Sequence, residues 1–440
     1  MKEVNLNTGE QGFLDAYDAA SEQNVIPVIE SLRKEAIQYF RELGIPDTKH
    51  EEWKYTDLNP IRKTEFRIPK SESLILKAAD IKSFLLAGEN AVVLVFVNGR
   101  FQSSLSNTSE LPRSVIAGNL AGYASHPMVK EHLAKHAPFR KESFVALNTA
   151  FVNDGAFVFV PENIVLERPV HFLYISDSRE NPSVVYPRNL VVTGDSSKVN
   201  ILESYHSLGD VQSTFSNSVT EVVVGENASV EFEKIQLENN LAYHISYTQV
   251  TQRKNSNWNS STITLGGAIV RNNLHIALTD QNANAQLFGL MILDGNELAD
   301  NHTLVDHMSP NCYSNELYKS ILEDHSRGVF NGKIMVWKDA QKTNAYQSNK
   351  NILLSDDASM NTKPQLEIFA DDVKCSHGAT TGQLDEDALF YLRSRGIGLN
   401  DARAFLTVAF AADVLRNISS DFLREFLMQR ITDKLTKGSN

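Results

Sequence analysis

The run Val219-Thr220-Glu221-Val222-Val223-Val224, followed by the turn Gly225-Glu226-Asn227 and the run Val230–Leu237, shows the pattern that decides the fold. Two short runs rich in β-branched and apolar residues flank a turn-forming triplet, which is typical of consecutive β-strands. The same alternation extends from about Thr149 to His377, without a strong helical period. So many short strands predict a barrel, a pair of sandwiches or a β-solenoid, and no exact repeat decides among them.

The region before this stretch has a mixed pattern. Apolar residues recur at helical spacing from about Gly12 to Leu43, including Val25 and Val28, and the segment Val129–Ala137 also looks helical. The apolar run Ala91–Val97 predicts a buried strand. The following Asn98-Gly99, before Phe101, predicts a type I′ hairpin. We therefore expect residues 1–148 to form a helical and mixed region.

The region after residue 378 predicts three helices. They cover Asp385–Arg395, Asn400–Leu415 and Ser420–Leu435, with acidic residues at the start of the first helix and basic residues at its end. Asn400 and Ser420 are predicted to cap the second and third helices. The chain is thus expected to consist of residues 1–148, a β core at 149–378 and a helical domain at 379–440.

Composition excludes several functional classes. The net charge of −12 argues against general nucleic-acid binding and against binding to anionic membranes. The two cysteines, Cys312 and Cys375, exclude a disulfide framework and cannot supply the four thiolates of an all-cysteine iron–sulfur site. The N-terminus shows no signal peptide, and the longest apolar run is too short to cross a bilayer. We expect a cytoplasmic protein.

Common catalytic signatures are missing from the sequence. The nearest approach to a phosphate-binding loop, Gly328–Lys333, has the wrong spacing and is followed by Ile334 where a hydroxyl is needed. There is no Gly-x-Gly-x-x-Gly motif and no Gly-x-Ser-x-Gly elbow. His132 and His136 lie four residues apart, but without the zincin glutamate the pattern favours a packed amphipathic helix over a metal site.

Two segments contain candidate metal ligands. Between Asp300 and Asp324, imidazole, carboxylate and thiolate groups occur together, but their spacing does not match a closed site and favours hydrogen bonds in turns and between strands. These residues are His302, Asp306, His307 and Cys312.

The second segment is Val373-Lys374-Cys375-Ser376-His377. In a strand, Val373, Cys375 and His377 share one face, so the thiol and the imidazole could approach one iron or two neighbouring ones. They cannot complete a four-coordinate site alone. The alternative is a small buried cysteine beside a hydrogen-bonded core histidine, and spacing alone favours it.

Several long blocks of the sequence resemble the SufD family of iron–sulfur cluster assembly proteins. The blocks that resemble the SufD signature are Asp371–Thr380, Gly382–Asp387 and Leu389–Ile397, and Glu51–Thr56 resembles the family's N-terminal motif. Asp300–His307 and Gly328–Ile334 resemble blocks shared by SufB and SufD. The resemblance implies a mainly β fold, a right-handed parallel β-helix core flanked by N-terminal and C-terminal helical regions. The open edges of such a core must be capped or paired, and in the family an edge pairs with SufB.

The resemblance also implies a role. The chain would be a scaffold subunit of a SufBCD complex and not an enzyme, pairing with SufB and docking SufC, the ATPase that binds ATP. His377 matches a family histidine implicated in cluster building at the SufB–SufD interface, and Cys375 matches the neighbouring cysteine. An iron or iron–sulfur cluster would be held there transiently, with no cofactor bound tightly in the isolated chain. The C-terminal helices would dock SufC, with Asp385, Leu389, Tyr391, Leu392, Arg393 and Arg395 as the contact region.

Other interpretations remain open. A SufB-like primary scaffold is the nearest alternative, although Cys375 and Gly378 favour SufD. A β-helix carbohydrate-active enzyme would need paired carboxylates or a base near a groove. An inert structural solenoid would fail to bind SufC. In isolation, the chain could also form a homodimer.

Overall fold

A computed structural model of the chain describes residues 4–5, 9–20, 29–69, 76–88, 90–109 and 111–437. Its helices are α1 (Gly9–Ala20), α2 (Glu30–Leu43), α3 (Asn59–Lys63), α4 (Ala78–Ile81), α5 (Pro127–His132), α6 (Ser143–Phe151), α7 (Glu386–Ser394), α8 (Leu399–Leu415) and α9 (Asp421–Lys437). No helix of these residues is long and apolar enough to cross a membrane.

Short strands at the start of the chain lead into long, regular ones. The strands are β1 (Val4–Asn5), β2 (Arg67–Ile68), β3 (Val92–Val97), β4 (Arg100–Phe101), β5 (Ile116–Asn119), β6 (Ala156–Val160), β7 (Val170–Asp177), β8 (Ser183–Val185), β9 (Arg188–Thr193), β10 (Lys198–Leu208), β11 (Thr214–Val224), β12 (Ser229–Leu237), β13 (Ala242–Gln252), β14 (Asn257–Thr264), β15 (Ile269–Leu278), β16 (Asn284–Leu293), β17 (Leu298–His307), β18 (Tyr313–Leu322), β19 (Arg327–Val336), β20 (Asn344–Leu353), β21 (Ser359–Ile368) and β22 (Lys374–Gly382).

The long strands form two parallel sheets that the chain visits alternately. Even-numbered strands from β10 to β22 lie in a ten-stranded sheet, and odd-numbered strands from β11 to β21 lie in a twelve-stranded sheet. Each strand pairs in parallel with the strand two positions along the chain, for example β11 with β13 and β12 with β14. The chain therefore winds as a β-solenoid of about 8 turns flanked by helices, which confirms the predicted fold class.

A left-handed residue recurs at one corner of the solenoid. Asn227, Asn255, Asn282 and Asn311 have φ between 56° and 63°, a conformation that asparagine tolerates better than most residues. Their side chains also bond between turns, since the Asn255 amide donates to Asn227 at 2.9 Å and the Asn282 amide to Asn255 at 3.0 Å. Asparagine thus fixes this corner in four successive turns, whereas Ser196 and Lys342 take the left-handed conformation in the turns before and after them. This sparse signal left no exact repeat in the sequence.

The N-terminal region largely follows the sequence prediction. α1 and α2 form where helical spacing was seen, although Val25 and Val28 lie outside the described residues. β3 and β4 form the predicted hairpin, with φ of 50° at Asn98 and 72° at Gly99. β3 also pairs in parallel with β7, so this region extends the ten-stranded sheet.

The predicted helix at Val129–Ala137 is wrong beyond His132. α5 ends there, and Ala134 adopts a φ of 56°. The backbone N–H groups of Ala134, His136 and Ala137 instead donate to the buried Glu221 carboxylate at 2.8 to 2.9 Å. A carboxylate on a neighbouring strand therefore outweighs the local helical preference.

The three C-terminal helices form as predicted, with one difference at a cap. Asp385 accepts from Ala388 N–H at 3.0 Å, and the Ser420 hydroxyl accepts from Leu423 N–H at 3.2 Å. Asn400 does not cap α8, because that helix begins one residue earlier, after Gly398. The domain boundaries at residues 148 and 378 stay predictions.

Candidate functional site

The solenoid has an open end at its last turn. In the part of the chain that the structure describes, β21 pairs only with β19, and β22 only with β20. Their outer edges therefore leave backbone groups unpaired along strands of 10 and 9 residues. Side chains of these two strands are half-buried or exposed, whereas preceding turns are largely buried. The last turn is the least covered part of the solenoid.

Two interior columns of side chains end at this turn. In successive parallel strands of the ten-stranded sheet, Cys375 follows Ala345, and His377 follows Gln347 and Glu316. Residues at equivalent positions of parallel strands in register are neighbours in adjacent turns. The structure thus brings Cys375 and His377 together on the interior face of one strand, as their spacing predicts.

The two candidate metal ligands differ in accessibility. Cys375 is half-buried and, with Val373, packs against the apolar cluster that contains Ile334. Burial raises the pKa of the Cys375 thiol, which lowers its thiolate fraction at neutral pH. His377 is exposed, and its ring has no hydrogen-bond partner among the described residues. His377 is therefore the more available donor.

Cys375 and His377 do not form a metal site by themselves. Within the described ranges, no group of three or more His, Cys, Asp and Glu side chains could hold a metal ion. An iron bound by these two residues would need further ligands from another molecule.

The candidate ligands between Asp300 and Asp324 make structural hydrogen bonds and ion pairs. They do not converge on one point but pair with separate neighbours. His302 Nε2 lies 2.9 Å from Asp300, His307 Nε2 lies 2.9 Å from Ser314 Oγ, Cys312 Sγ donates to the Asp280 carbonyl at 3.3 Å, and Asp306 accepts from the Trp337 indole.

His132 and His136 contact each other without sharing a helix. Their rings stack, with 3.1 Å between His132 Nδ1 and His136 Nε2. Burial lowers the pKa of both imidazoles, so the neutral forms predominate at neutral pH. One ring can donate to the other in these forms, which supports the packing interpretation.

Two sequence blocks meet at a cleft of about 760 Å³ between the N-terminal segment and the twelve-stranded sheet. Arg271 lies 3.8 Å from the Trp53 ring centre, donates to the Glu52 carbonyl at 2.6 Å and pairs with Asp300 at 2.8 Å. Burial acts to raise the pKa of Asp300, but His302 and Arg271 outweigh it and lower that pKa to about 2. These contacts fix the N-terminal motif onto the solenoid.

Sequence reasoning missed two residues beneath His377. Gln347 Nε2 donates to Glu316 Oε1 at 3.2 Å, and Thr303 Oγ1 donates to Glu316 Oε2 at 2.6 Å. Burial raises the pKa of Glu316 to about 7, although both hydrogen bonds act to lower it. The 31-residue interval between Glu316 and Gln347, close to that between Gln347 and His377, is the signal that could have found them.

The predicted SufC contact region lies on α7 and just beyond it. Its apolar neighbours are unusually accessible: Phe390 is 74% exposed and Phe405, on α8, is 61% exposed. Among the predicted contact residues, Leu389 is buried, Leu392 is half-buried, and Asp385, Tyr391, Arg393 and Arg395 are exposed. The Arg395 guanidinium lies 5.1 Å from the Tyr391 ring centre.

α8 and α9 pack on the outside of the ten-stranded sheet. Buried residues of these helices, including Leu415 and Leu427, join one apolar cluster with Ile263 and Leu290 of the sheet. Lys319 on β18 also pairs with Asp413 at 2.6 Å. These two helices therefore cover the solenoid, while α7 carries its aromatic side chains outward.

Comparisons with known proteins agree with this architecture. A family model described as the SufBD core domain of SUF-system iron–sulfur cluster assembly matches residues 174–410. A second, described as the SufBD protein N-terminal region, matches residues 8–172.

Individual relatives match over almost their whole length. An iron–sulfur cluster assembly SufBD family protein of Synechocystis is 36% identical over 92% of this chain and 91% of its own. The iron–sulfur cluster assembly protein SufD of Escherichia coli is 30% identical over 92% of both chains. The SufD of Bacillus subtilis is 25% identical over 97% of this chain and 98% of its own.

Proposed function

Because the chain belongs to the SufBD family of iron–sulfur cluster assembly proteins, we propose that it is a SufD-type scaffold subunit of a SufBCD complex. It pairs with a SufB-type subunit, docks a SufC-type ATPase and contributes to iron acquisition or cluster formation between the two solenoids. The observation that carries the proposal is the open end of the solenoid, where the columns of Cys375 and His377 terminate.

The open end supports pairing with another solenoid. Long exposed strand edges are templates for further pairing, and native proteins cover them. β21 and β22 are long, regular and unpaired on their outer sides within the described residues. A second solenoid offers complementary edges, and covering this end would enclose His377. A homodimer is the corresponding assembly of the isolated chain.

Iron or an iron–sulfur cluster would be bound jointly by this chain and its partner subunit. The neutral His377 imidazole offers a nitrogen lone pair to iron, while the Cys375 thiol must first lose a proton that burial helps it to keep. Because the described part of this chain supplies only two donors there, the partner would provide the remaining ligands. The iron or cluster is therefore a transient cargo of the complex and not a resident cofactor of this subunit.

The ATPase would dock on α7 and the start of α8. Exposed aromatic side chains are common anchors of protein interfaces, and Phe390, Tyr391 and Phe405 are each more than half exposed. The sequence lacks a phosphate-binding loop of its own, so ATP would be bound and hydrolysed by SufC.

The test is to express His377→Ala together with SufB and SufC and measure the iron and sulfide content of the purified complex. Since His377 is exposed and lies in the last turn, the substitution should leave the chain folded and able to assemble. We expect a large loss of cluster with assembly intact. His325→Ala is a matched control, because that ring is also exposed, at 65%, but lies at a turn of an earlier coil. Normal cluster content in assembled His377→Ala complex would contradict the proposed role.

A further inference from the structure

Below His377, the interior of the solenoid holds a hydrogen-bonded polar column. Glu316 is completely buried and accepts from Thr303 and Gln347, whose side chain is also buried. Once ionised, Glu316 can only accept hydrogen bonds, and Gln347 then presents its Nε2 group to it, as in this structure. The orientation of the Gln347 amide is therefore set by the residue beneath it.

The space for this amide is provided by a glycine. A Cβ atom at Gly332 would lie 2.3 Å from Gln347 Nε2, so any larger residue would displace the amide. Gly332 and Thr303 belong to two sequence blocks that the proposed function leaves unexplained, Gly328–Ile334 and Asp300–His307. Both blocks thus converge on Gln347 and its anchor.

Gln347 leaves one polar atom without a partner. Its Oε1 is buried and accepts no hydrogen bond from the described part of the chain. The next residue of the same column is His377, paired with Gln347 in the register of β20 and β22. A buried amide oxygen without a partner is costly, and an imidazole N–H in the adjacent turn can satisfy it.

We propose that Gln347 is a positioning residue for His377. The His377 ring makes no hydrogen bond with the described residues in this structure, but rotation of its side chain towards Gln347, which is anchored through Nε2 on Glu316, brings one N–H of the imidazole to Oε1 and thereby selects the tautomer. The second ring nitrogen then keeps its lone pair and faces away from the column, towards the open end. Orientation of a histidine ligand by a hydrogen bond to its other nitrogen is the usual arrangement in metal sites. The use of that lone pair for iron rests on the proposed function, but the hydrogen bond does not.

Nitrogen-15 NMR of the full chain with labelled histidine tests the hydrogen bond directly. His377 is assigned from the signal lost in His377→Gln, and spectra are recorded at pH 8, where Glu316, with a pKa of about 7, is mostly ionised. We expect one dominant neutral tautomer in the wild type and a clear shift towards mixed tautomers in Gln347→Met. Gln347→Glu combined with Glu316→Gln exchanges the carboxyl and the amide, so that position 347 keeps an acceptor oxygen above a residue that can donate to it. This double variant should restore one dominant tautomer.

Asn349→Leu is the matched control. Asn349 is a buried amide on the same face of β20, but it neighbours Ala379 instead of His377. Thr303→Val is a second test of the same hydrogen bonds. It removes the hydrogen bond from Thr303 to Glu316 without changing Gln347, and it should shift the His377 tautomers partially. Unchanged His377 signals in folded Gln347→Met, or equal shifts in Asn349→Leu, would overturn the proposal.

Cluster content separates this inference from the proposed function. Assembled complexes containing Gln347→Met should hold several-fold less iron and sulfide than wild type, with the exchanged double variant intermediate. If His377→Ala keeps its cluster while Gln347→Met still shifts the tautomers, the iron role fails and the hydrogen bond stands. If His377→Ala loses its cluster while Gln347→Met leaves the tautomers unchanged, the positioning role fails alone.

Discussion

Arg188 and Glu221 form a fully buried ion pair, with 2.7 Å between Nη2 and Oε2 and side chains that are 1% and 0% exposed. Glu221 also accepts from three backbone N–H groups of the segment that follows α5. Burial acts to raise the pKa of Glu221, but Arg188 and these N–H groups outweigh it and lower that pKa. The pair thus ties the N-terminal region to β9 and β11 of the solenoid.

Removing one member of this pair should be strongly destabilising. Arg188→Met leaves Glu221 buried without its cation, and breaking a buried pair typically costs about 3–5 kcal/mol of unfolding free energy. Urea denaturation followed by circular dichroism measures the loss. The control is Arg179→Met, because Arg179 pairs with Asp177 at 2.8 Å but is 47% exposed, so its change should stay below about 1 kcal/mol. Equal losses in both variants would contradict this account.

The buried Glu316 carboxyl predicts a loss of stability as pH rises. Its pKa is raised from 4.5 to about 7 by burial, so the folded chain binds this proton more tightly than the unfolded chain. Its contribution is fully present below about pH 4.5 and is lost as pH rises through about 7. Glu316→Gln mimics the protonated carboxyl and should remove the loss.

The measurement is the unfolding free energy of both proteins at pH 5 and pH 8.5. We expect near equality at pH 5 and an advantage of about 2–3 kcal/mol for Glu316→Gln at pH 8.5. Thr262→Val, which changes a buried but non-titratable side chain in an earlier coil, should give a difference from wild type that does not follow this pH course. A gap that is largest at acidic pH would refute the assignment.

Strand and helix positions were largely predictable because they depend on local pattern. The hairpin at Asn98-Gly99 and the cap at Asp385 each rest on residues adjacent in sequence. The end of α5 was not predictable, since Glu221 captures its continuing backbone from more than 80 residues away. Local propensity gives way where a buried carboxylate needs donors.

The candidate site was also predictable only in part from the sequence. The common face of Cys375 and His377 follows from their spacing of two residues in a strand. The position of Gln347 and Glu316 beneath His377 depends on the register between turns, which local spacing does not reveal. Successive turns of the solenoid differ slightly in length, because hydrogen-bonded neighbours in adjacent turns lie 27 to 31 residues apart. A search for one fixed repeat length therefore does not find the register.

The proposed docking of a SufC-type ATPase places its binding site on the exposed aromatic surface of α7 and α8. Deleting everything after Gly382, the simplest test, would also remove α8 and α9 and uncover apolar residues of the ten-stranded sheet such as Ile263 and Leu290. Point substitutions avoid this problem. Phe390→Ser and Phe405→Ser change side chains that are 74% and 61% exposed, so each should alter stability by no more than about 0.5 kcal/mol.

In a binding titration with SufC, the double substitution should weaken affinity at least about tenfold, because interface anchors commonly contribute 2 kcal/mol or more and 1.4 kcal/mol corresponds to a factor of ten. Val211→Ser is the control, since Val211 is 60% exposed but lies between β10 and β11, away from the C-terminal helices in sequence. Pairing with SufB should persist in all variants, as the open end of the solenoid is unchanged. Full SufC affinity in the double variant would show that the docking surface lies away from α7. An equal loss of affinity in Val211→Ser would show that the effect is not specific to these aromatic side chains.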